Sequence, residues 1–455
     1  MSSTRQRAAR RNWAGNVAFG AAELARPTSV AEVQAVVARN PRIRAVGTAH
    51  CFNDLPDSPG VQVSVAELPP VVEVDSAAGT ALVAGGLRYA EVARRIDPHG
   101  FALPNLGSLP HVSVAGACAT GTHGSGVANQ SLSAAVSGLQ LVTADGDVVW
   151  LDRATDRDGL DGSVVGLGSL GVVVAVTLDL VPSFDVSTRV YEGLDLDVLS
   201  GHFAELVSAA YSVCLFTDWL APRLTQVWVM RRTTDPEPAA LAAPWFGATP
   251  ADGPRHPVAG MSAASCTEQQ GVPGRWYERL PHFRPEFTPS SGRELQSEYL
   301  LPATAAVPAL LALDGVRDRI HPVLQICELR TIAADRLWLS PAYGRDSVSI
   351  HFTWVDDAAA VLPVVTLVEE TLAPFGARPH WGKVFTTPAG ALRSLYPRFA
   401  DFRRLVDERD PGGKFANAYT DRYLRTAAAD PGPAPRGPRS RPGGPDALPH
   451  EEQSQ

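Results

Sequence analysis

The sequence predicts an α+β architecture in two domains followed by a disordered tail, and three observations lead there. Its 455 residues are more than a single hydrophobic core usually holds. Short period-2 runs of β-branched residues mix with short 3.6-period runs, and glycine-rich turns close the strands. Beyond Ala427, seven prolines stand among almost no apolar residues, too few to offset the entropy of ordering the segment.

Each element has a local cause. Ser29-Val-Ala-Glu32, with Pro27 before it, reads as a capping box opening a helix whose apolar side is Val30, Val33, Val36 and Val37. Ile43 to Val46 forms a strand running into Gly47-Thr-Ala-His50, and strands at Val71–Val74 and Thr80–Ala84 flank a glycine turn. A helix follows over Tyr89–Ile96. Leu139–Thr143 and Val148–Leu151 flank Asp145-Gly146, a strong hairpin signal. Further on come a helix over Leu196–Tyr211, a strand at Gln226–Met230 and a Pro/Ala/Gly-rich surface segment from Pro236 to Gly274. Strands at Val323–Arg330 and Val348–Trp354 and a helix over Leu362–Leu372 complete the reading.

Composition narrows the function. Net charge is −8, with no block rich in Lys or Arg, so neither nucleic acid nor an anionic membrane surface is an expected partner. A small, neutral substrate fits better. The N-terminus is charged and lacks an apolar signal core; it reads as a solvated start, with a transit peptide as the other reading. No run of 18 apolar residues is present, so no membrane span is expected. Five scattered cysteines without CxxC spacing read as reduced cytoplasmic thiols, and no metal site is expected. Only two lysines, Lys383 and Lys414, stand against 38 arginines, which draws attention to Lys383 in its apolar setting.

Three segments carry chemistry. Leu103 to Gly126 places Gly116, Gly121, Gly124 and Gly126 among small residues and hydroxyls. Such a run lets backbone N–H groups approach a pyrophosphate, although a plain loop has the same composition. It is neither a Walker A loop nor a Rossmann fingerprint. In Leu324–Arg330, Glu328 and Arg330 lie two apart on one face. In Ser347–Trp354, Ser347, Ser349, His351 and Thr353 share a face. A half-solvated antiparallel sheet alternates in this way, and so does the lining of a pocket for a polyhydroxylated ligand. Arg378-Pro-His-Trp-Gly-Lys383 then sets the rare lysine after an aromatic turn.

These motifs together resemble the alditol oxidases, the xylitol and sorbitol oxidases among FAD-dependent enzymes of the vanillyl-alcohol-oxidase (PCMH) type. The resemblance rests on Val46-Gly-Thr-Ala-His-Cys-Phe-Asn53, the glycine-rich run and Arg-Pro-His-Trp-Gly-Lys383. It is extended by Leu215-Phe-Thr-Asp-Trp219, Cys266-Thr-Glu-Gln269, Phe287–Ser291, Cys327-Glu-Leu-Arg-Thr331 and Leu339–Asp346, and spans residues 10 to 425. It implies an FAD-binding domain in two pieces, 10–187 and 377–425, around an α/β cap domain over 188–376, with the tail at 427–455 outside both. It also implies FAD bound covalently through His50.

By the same resemblance the cofactor lies against Gly47, Thr48, Ala49, Cys51 and Phe52, and against Ser108, Ser113, Gly116, Thr120, Gly121, His123 and Gly124. His380 and Lys383 complete that set. Substrate contacts fall on Ser108, Glu328, Arg330, Thr353 and Lys383, with Lys383, Arg330, Glu328 and His351 as the catalytic group. Cys118, inside the glycine-rich run, reads as a packed core thiol and not as a second flavin link. The expected reaction is oxidation of the C1 hydroxyl of a polyol such as xylitol or sorbitol to the aldose, with O₂ reduced to hydrogen peroxide, by a cytoplasmic monomer. His351 stands either as proton acceptor or as an orienting group. The alternatives are an aldonolactone oxidoreductase of gulono- or galactonolactone type and a binding protein without turnover.

Overall fold

Four sheets organise the residues described in the computed structural model, which are 10–236, 245–287, 290 and 292–425. The expected disordered tail lies outside the described residues. Three parallel strands, Glu23–Ala25, Val61–Val63 and Ile43–Ala45, form a small sheet against the helix Val30–Arg39. That helix starts as its capping signal predicts: Ser29 accepts from the Glu32 N–H at 3.2 Å. The Glu32 carboxylate turns back to the N–H of Thr28 at 2.7 Å, one residue earlier than a strict capping box. A five-stranded antiparallel sheet runs in the order Val72–Asp75, Thr80–Ala84, Val172–Asp179, Val136–Val142, Val148–Asp152. Its hairpin closes at Gly146, whose φ of +87° is the left-handed conformation the Asp-Gly turn requires.

The large sheet has nine strands. Its central order is Asp185–Asp195, Arg223–Arg232, Ser212–Thr217, Leu324–Ile332, Ser347–Trp354, Leu295–Pro302, with Arg378–Pro379 at one edge. One face carries Leu295, Tyr299, Leu301, Cys327, Leu329, Val348, Ile350, Phe352 and Trp354. It packs against the helices Leu199–Val207, Ala306–Asp314 and Ala358–Leu372. Each large side chain buried there contributes roughly 1.5–3 kcal/mol. The residues of opposite parity, Gln296, Glu298, Glu328, Arg330, His351 and Thr353, line a cleft. All eight residues of Ser347–Trp354 are buried, so the half-solvated reading of this strand gives way to the pocket reading.

Register sets the polar wall. Glu298 pairs with His351, and His351 pairs with Glu328, so three strands bring these side chains abreast. After Pro379 the chain keeps following the strand Leu295–Pro302. The His380 N–H donates to Glu298 O and the Val384 N–H to Gln296 O, both at 2.8 Å. This brings Lys383 to Gln296.

Several expectations are corrected. The helix expected over Leu196–Tyr211 is a 3₁₀ turn, Leu196–Val198, and an α-helix ending at Val207, because the next strand begins at Ser212. The segment read as surface from Pro236 packs inward where described: Trp245, Cys266 and Gln269 are buried, and Pro257 and Val258 reach the cleft. The glycine-rich run contains a short helix, Val114–Thr120. The stretch Ala358–Phe375 is helical and, with a mean hydropathy of 1.5 over 18 residues, long and apolar enough to cross a membrane. Its Val361, Val364, Val365, Val368 and Leu372 face the large sheet, and Glu369 accepts from Tyr299 Oη at 3.0 Å.

Arg44 staples distant parts of the chain. Its buried guanidinium donates to the carbonyls of Leu55, Leu167, Gly168 and Phe415 at 2.7–2.9 Å. Burial lowers its pKa to about 10, which leaves it charged at neutral pH. Arg44→Met strands four buried carbonyls and should cost roughly 3–5 kcal/mol. Urea unfolding should show this as a lower midpoint at unchanged slope; an unchanged midpoint would mean that water replaces the guanidinium.

Candidate active site

The cleft between the glycine-rich run and the large sheet encloses about 1280 Å³, counting its open mouth. One wall comes from the chain leaving the strand Ile43–Ala45. Ala49 sits at φ +57°, a turn that non-glycine residues seldom adopt. His50 follows, with Trp13 stacked on it at 4.9 Å between ring centroids. Both of its ring nitrogens are buried without an aligned hydrogen-bond partner among the described residues. Burial, then the Lys383 cation and His111, lower its pKa to about 4. His50 is therefore a neutral imidazole at physiological pH, with its lone pair unused.

The neighbouring wall is a close-packed cradle. A Cβ on Gly47 would come within 2.2 Å of Ser113 Oγ, and one on Gly116 within 2.8 Å of the same atom. Ser113 Oγ is itself buried without a partner. A serine hydroxyl left open between two glycines suits the donor needs of a phosphate or a ring carbonyl. Asn53 ties this wall to the C-terminal return by donating to Trp381 O and Lys383 O, both at 2.8 Å.

The sheet wall holds two linked networks. Arg330 donates from Nη1 to Ser108 Oγ at 3.1 Å and from Nη2 to Glu298 Oε1 at 3.0 Å, and its Nε lies 3.5 Å from Glu328 Oε1. Glu298 Oε1 is also 2.9 Å from His123 Nε2. Burial alone would raise the Glu298 carboxyl, but His123 and Arg330 outweigh it and hold the group well below the ordinary carboxylate range. In the second network Gln296 Oε1 accepts from Lys383 Nζ and from His351 Nε2, the latter at 3.1 Å. Gln296 Nε2 in turn donates to Glu294. With Nε2 as donor, the lone pair of His351 falls on Nδ1, which lies 4.0 Å from Glu328 Oε2. Burial and then Lys383 hold His351 well below its usual pKa, and burial likewise lowers that of Lys383.

Most of the residues expected from the sequence meet in this cleft. Gly47 to Phe52, Ser108, Ser113, Gly116, Thr120, His123, Glu328, Arg330, His351, Thr353, His380 and Lys383 all line it. Gly121 and Gly124 do not. Gly121 is the left-handed cap of the short helix and faces Pro341, and a Cβ on Gly124 would strike Leu106 O and Asn105. His380 accepts the Gly382 N–H on Nδ1 at 3.1 Å, and burial lowers its pKa to about 3. Cys118 is buried and meets Tyr89 Oη at 3.4 Å, as a packed thiol does.

Gln296 and Glu298 were missed because the strand Leu295–Pro302 was missed. Its signal was legible: Leu295, Ser297, Tyr299 and Leu301 alternate with Gln296 and Glu298. Cys214, His282 and Glu328 also offer ligand atoms within 4.8 Å of one another. The Arg330 cation beside Glu328 opposes a metal ion there.

Comparison with known proteins agrees with this layout. A family model described as an FAD binding domain matches residues 21–152, and one described as D-arabinono-1,4-lactone oxidase matches residues 290–423. The chain is 54% identical over 411 residues to an alditol oxidase of Streptomyces sp. (strain IKD472 / FERM P-14339), covering 90% of this chain and 97% of that protein. It is 30% identical over 438 residues to an L-gulono-1,4-lactone dehydrogenase of Mycobacterium tuberculosis, covering 91% and 98%. A cholesterol oxidase from B. sterolicum has the same fold, with a TM-score of 0.74 at 14% identity over 91% of this chain and 96% of its own.

The Ser113 hydroxyl without a partner, the His50 lone pair and the glycine-lined wall fit a flavin dinucleotide. Gly47→Ala should therefore empty the cradle. The purified variant should lose most of its yellow absorbance at unchanged far-ultraviolet circular dichroism; a full flavin complement would show that the cofactor does not pass Gly47.

Proposed function

The chain belongs to the alditol oxidase family of FAD enzymes, and from that premise we propose that it oxidises the C1 hydroxyl of a small alditol such as xylitol or sorbitol to the aldose. One observation carries the reading. In the cleft with His50, Glu328, Arg330, His351 and Thr353 of the buried sheet face meet Lys383 of the C-terminal return and Ser108 of the glycine-rich run, a donor and acceptor set suited to a chain of hydroxyls. FAD, when bound, supplies the two-electron acceptor whose electrons pass on to O₂ as hydrogen peroxide. FAD would be held by the walls around Gly47, Ser113 and Gly116, with a covalent link from the unprotonated nitrogen of His50. That assignment makes 10–187 and 377–425 the FAD-binding part and 188–376 the cap. The site is complete within one chain, which supports a monomer, and five free thiols support a reducing, cytoplasmic setting.

The chain's own residues then do the following. Arg330 and Lys383 hold the C1 oxygen and steady the negative charge that develops as its proton leaves. His351 accepts that proton on Nδ1, the nitrogen that its Gln296 contact leaves free. Glu328, whose carboxylate lines the cleft, accepts from a C2 or C3 hydroxyl. Ser108 and Thr353 take the remaining hydroxyls and fix which carbon presents its hydride.

Peroxide release from xylitol and sorbitol, with little from a gulonolactone, tests the substrate reading; the reverse order would favour lactone oxidation. Acid-precipitated protein should stay yellow, with an FAD mass increment on the His50 peptide, and His50→Ala should release its flavin. A second increment on a Cys118 peptide would overturn the single link.

The pocket roles have their own test. Glu328→Gln weakens a charge-assisted hydrogen bond worth roughly 1.5–3 kcal/mol, so kcat/KM should fall about ten- to a hundredfold. Lys383→Arg should slow anaerobic flavin reduction with FAD still bound, because a planar guanidinium cannot reproduce the ammonium contact to Gln296. If both variants reduce as fast as wild type, the pocket assignment is wrong.

A further inference from the structure

Four formally charged side chains line the cleft: Arg330 and Lys383 on one side of the balance, Glu298 and Glu328 on the other. A buried arginine beside a lysine is what a carboxylate-binding site needs, because the guanidinium fork accepts a carboxylate through two parallel N–H bonds. Here the fork is already occupied. Nη2 donates to Glu298 at 3.0 Å, Nη1 to Ser108 at 3.1 Å, and Nε faces Glu328 at 3.5 Å. Nη1 also donates to His123 O at 3.4 Å, so both of its hydrogens are engaged, and Nε, which has no aligned acceptor, faces the carboxylate of Glu328 already in place.

The two glutamates have different standing. Glu328 lines the cleft, with its Oε1 turned to Arg330 Nε at 3.5 Å and no donor aligned on it. The Glu298 side chain is 3% exposed, and its Oε1 is held between Arg330 Nη2 and His123 Nε2. It lines the cleft beside the guanidinium, and the register with His351 fixes it there.

We propose that Glu298 is a specificity-determining residue that closes the alditol site to carboxylates, so that neutral polyols enter while aldonates, the acids of the same carbon skeleton, are refused. It cancels the charge of Arg330 and occupies one arm of its fork. The guanidinium is thereby reduced from an anion receptor to a donor of single hydrogen bonds, the form in which it can orient a hydroxyl. This inference rests on the proposal that Arg330 lines the polyol site.

The test uses the flavin-loaded enzyme, with xylitol as substrate and D-xylonate as competitor. In wild type, xylonate should bind at least about a hundredfold more weakly than xylitol, because a carboxylate meets Glu298 and Glu328 with no free fork to offset them. Glu298→Gln keeps the shape and removes one negative charge. Its inhibition constant for xylonate should fall at least about tenfold, while KM for xylitol changes less. Glu298→Asp, which keeps the charge, should restore exclusion. A residue that merely supports the fold would weaken both ligands together.

Tight xylonate binding by wild type, or no gain of xylonate binding in Glu298→Gln, overturns the proposal. If Glu298→Gln loses its flavin, the wild-type comparison still decides. Absence of peroxide from any alditol in wild type would instead sink the substrate reading, so the two failures are separable.

Discussion

The structure depends on one constraint: the buried central strands of the large sheet must balance the charges on their cleft face from within. Glu298, His351 and Glu328 stand abreast on three strands, and Arg330 lies two residues further along on the same face. A single buried charge there would be strongly destabilising. The row is stable because each ion meets an opposite ion or an oriented dipole, as in Arg330 with Glu298 and Lys383 with Gln296. Polar groups that are already held need little reorganisation when a substrate arrives, so the same constraint that preserves the fold prepares the site.

The opposite face of the same strands makes this arrangement rigid. Phe352 and Trp354 stack at 4.9 Å with their planes 2° apart, and Trp354 Nε1 donates to Ser297 Oγ at 2.9 Å. Because side chains alternate, a slip of one residue in register would send these aromatics into the cleft and the ions into the apolar core. The helices packed on the sheet therefore fix the registration of the polar row as well as stabilising the sheet. Position and chemistry are coupled through the period of the strand.

Two connections join this wall to the cradle. Asn53 and Asn417 donate to backbone carbonyls far away in sequence: Asn53 to the 381–383 segment, Asn417 to Asp54, Leu55 and Asp57. Arg44 adds the link from Leu55 to Leu167 and Phe415. These side chains explain how the turn at His50 is held against Lys383 although more than 300 residues separate them. The depressed pKa of His50 follows from the same closeness, because burial and the Lys383 cation both disfavour its protonated form.

Much of this was legible in the sequence wherever the cause is local. The Ser29 cap, the Asp145-Gly146 hairpin and the alternation of Ser347–Trp354 depend on neighbours within a few residues, and the motifs around His50 and Lys383 pointed to the family. Strand periodicity alone put Glu328 and Arg330 on one side. Tertiary structure decided what that side faces. Neither the burial of the whole strand nor the choice between solvent and cleft can be read from alternation, since both give the same pattern. Glu298 and Gln296 acquire their meaning only from pairing across strands, and Gly121 and Gly124 lie outside the cleft lining, against Pro341 and Asn105. The sequence determined the elements and the kind of chemistry. Register and chain return, which are long-range and cooperative, determined which residues share a charge balance.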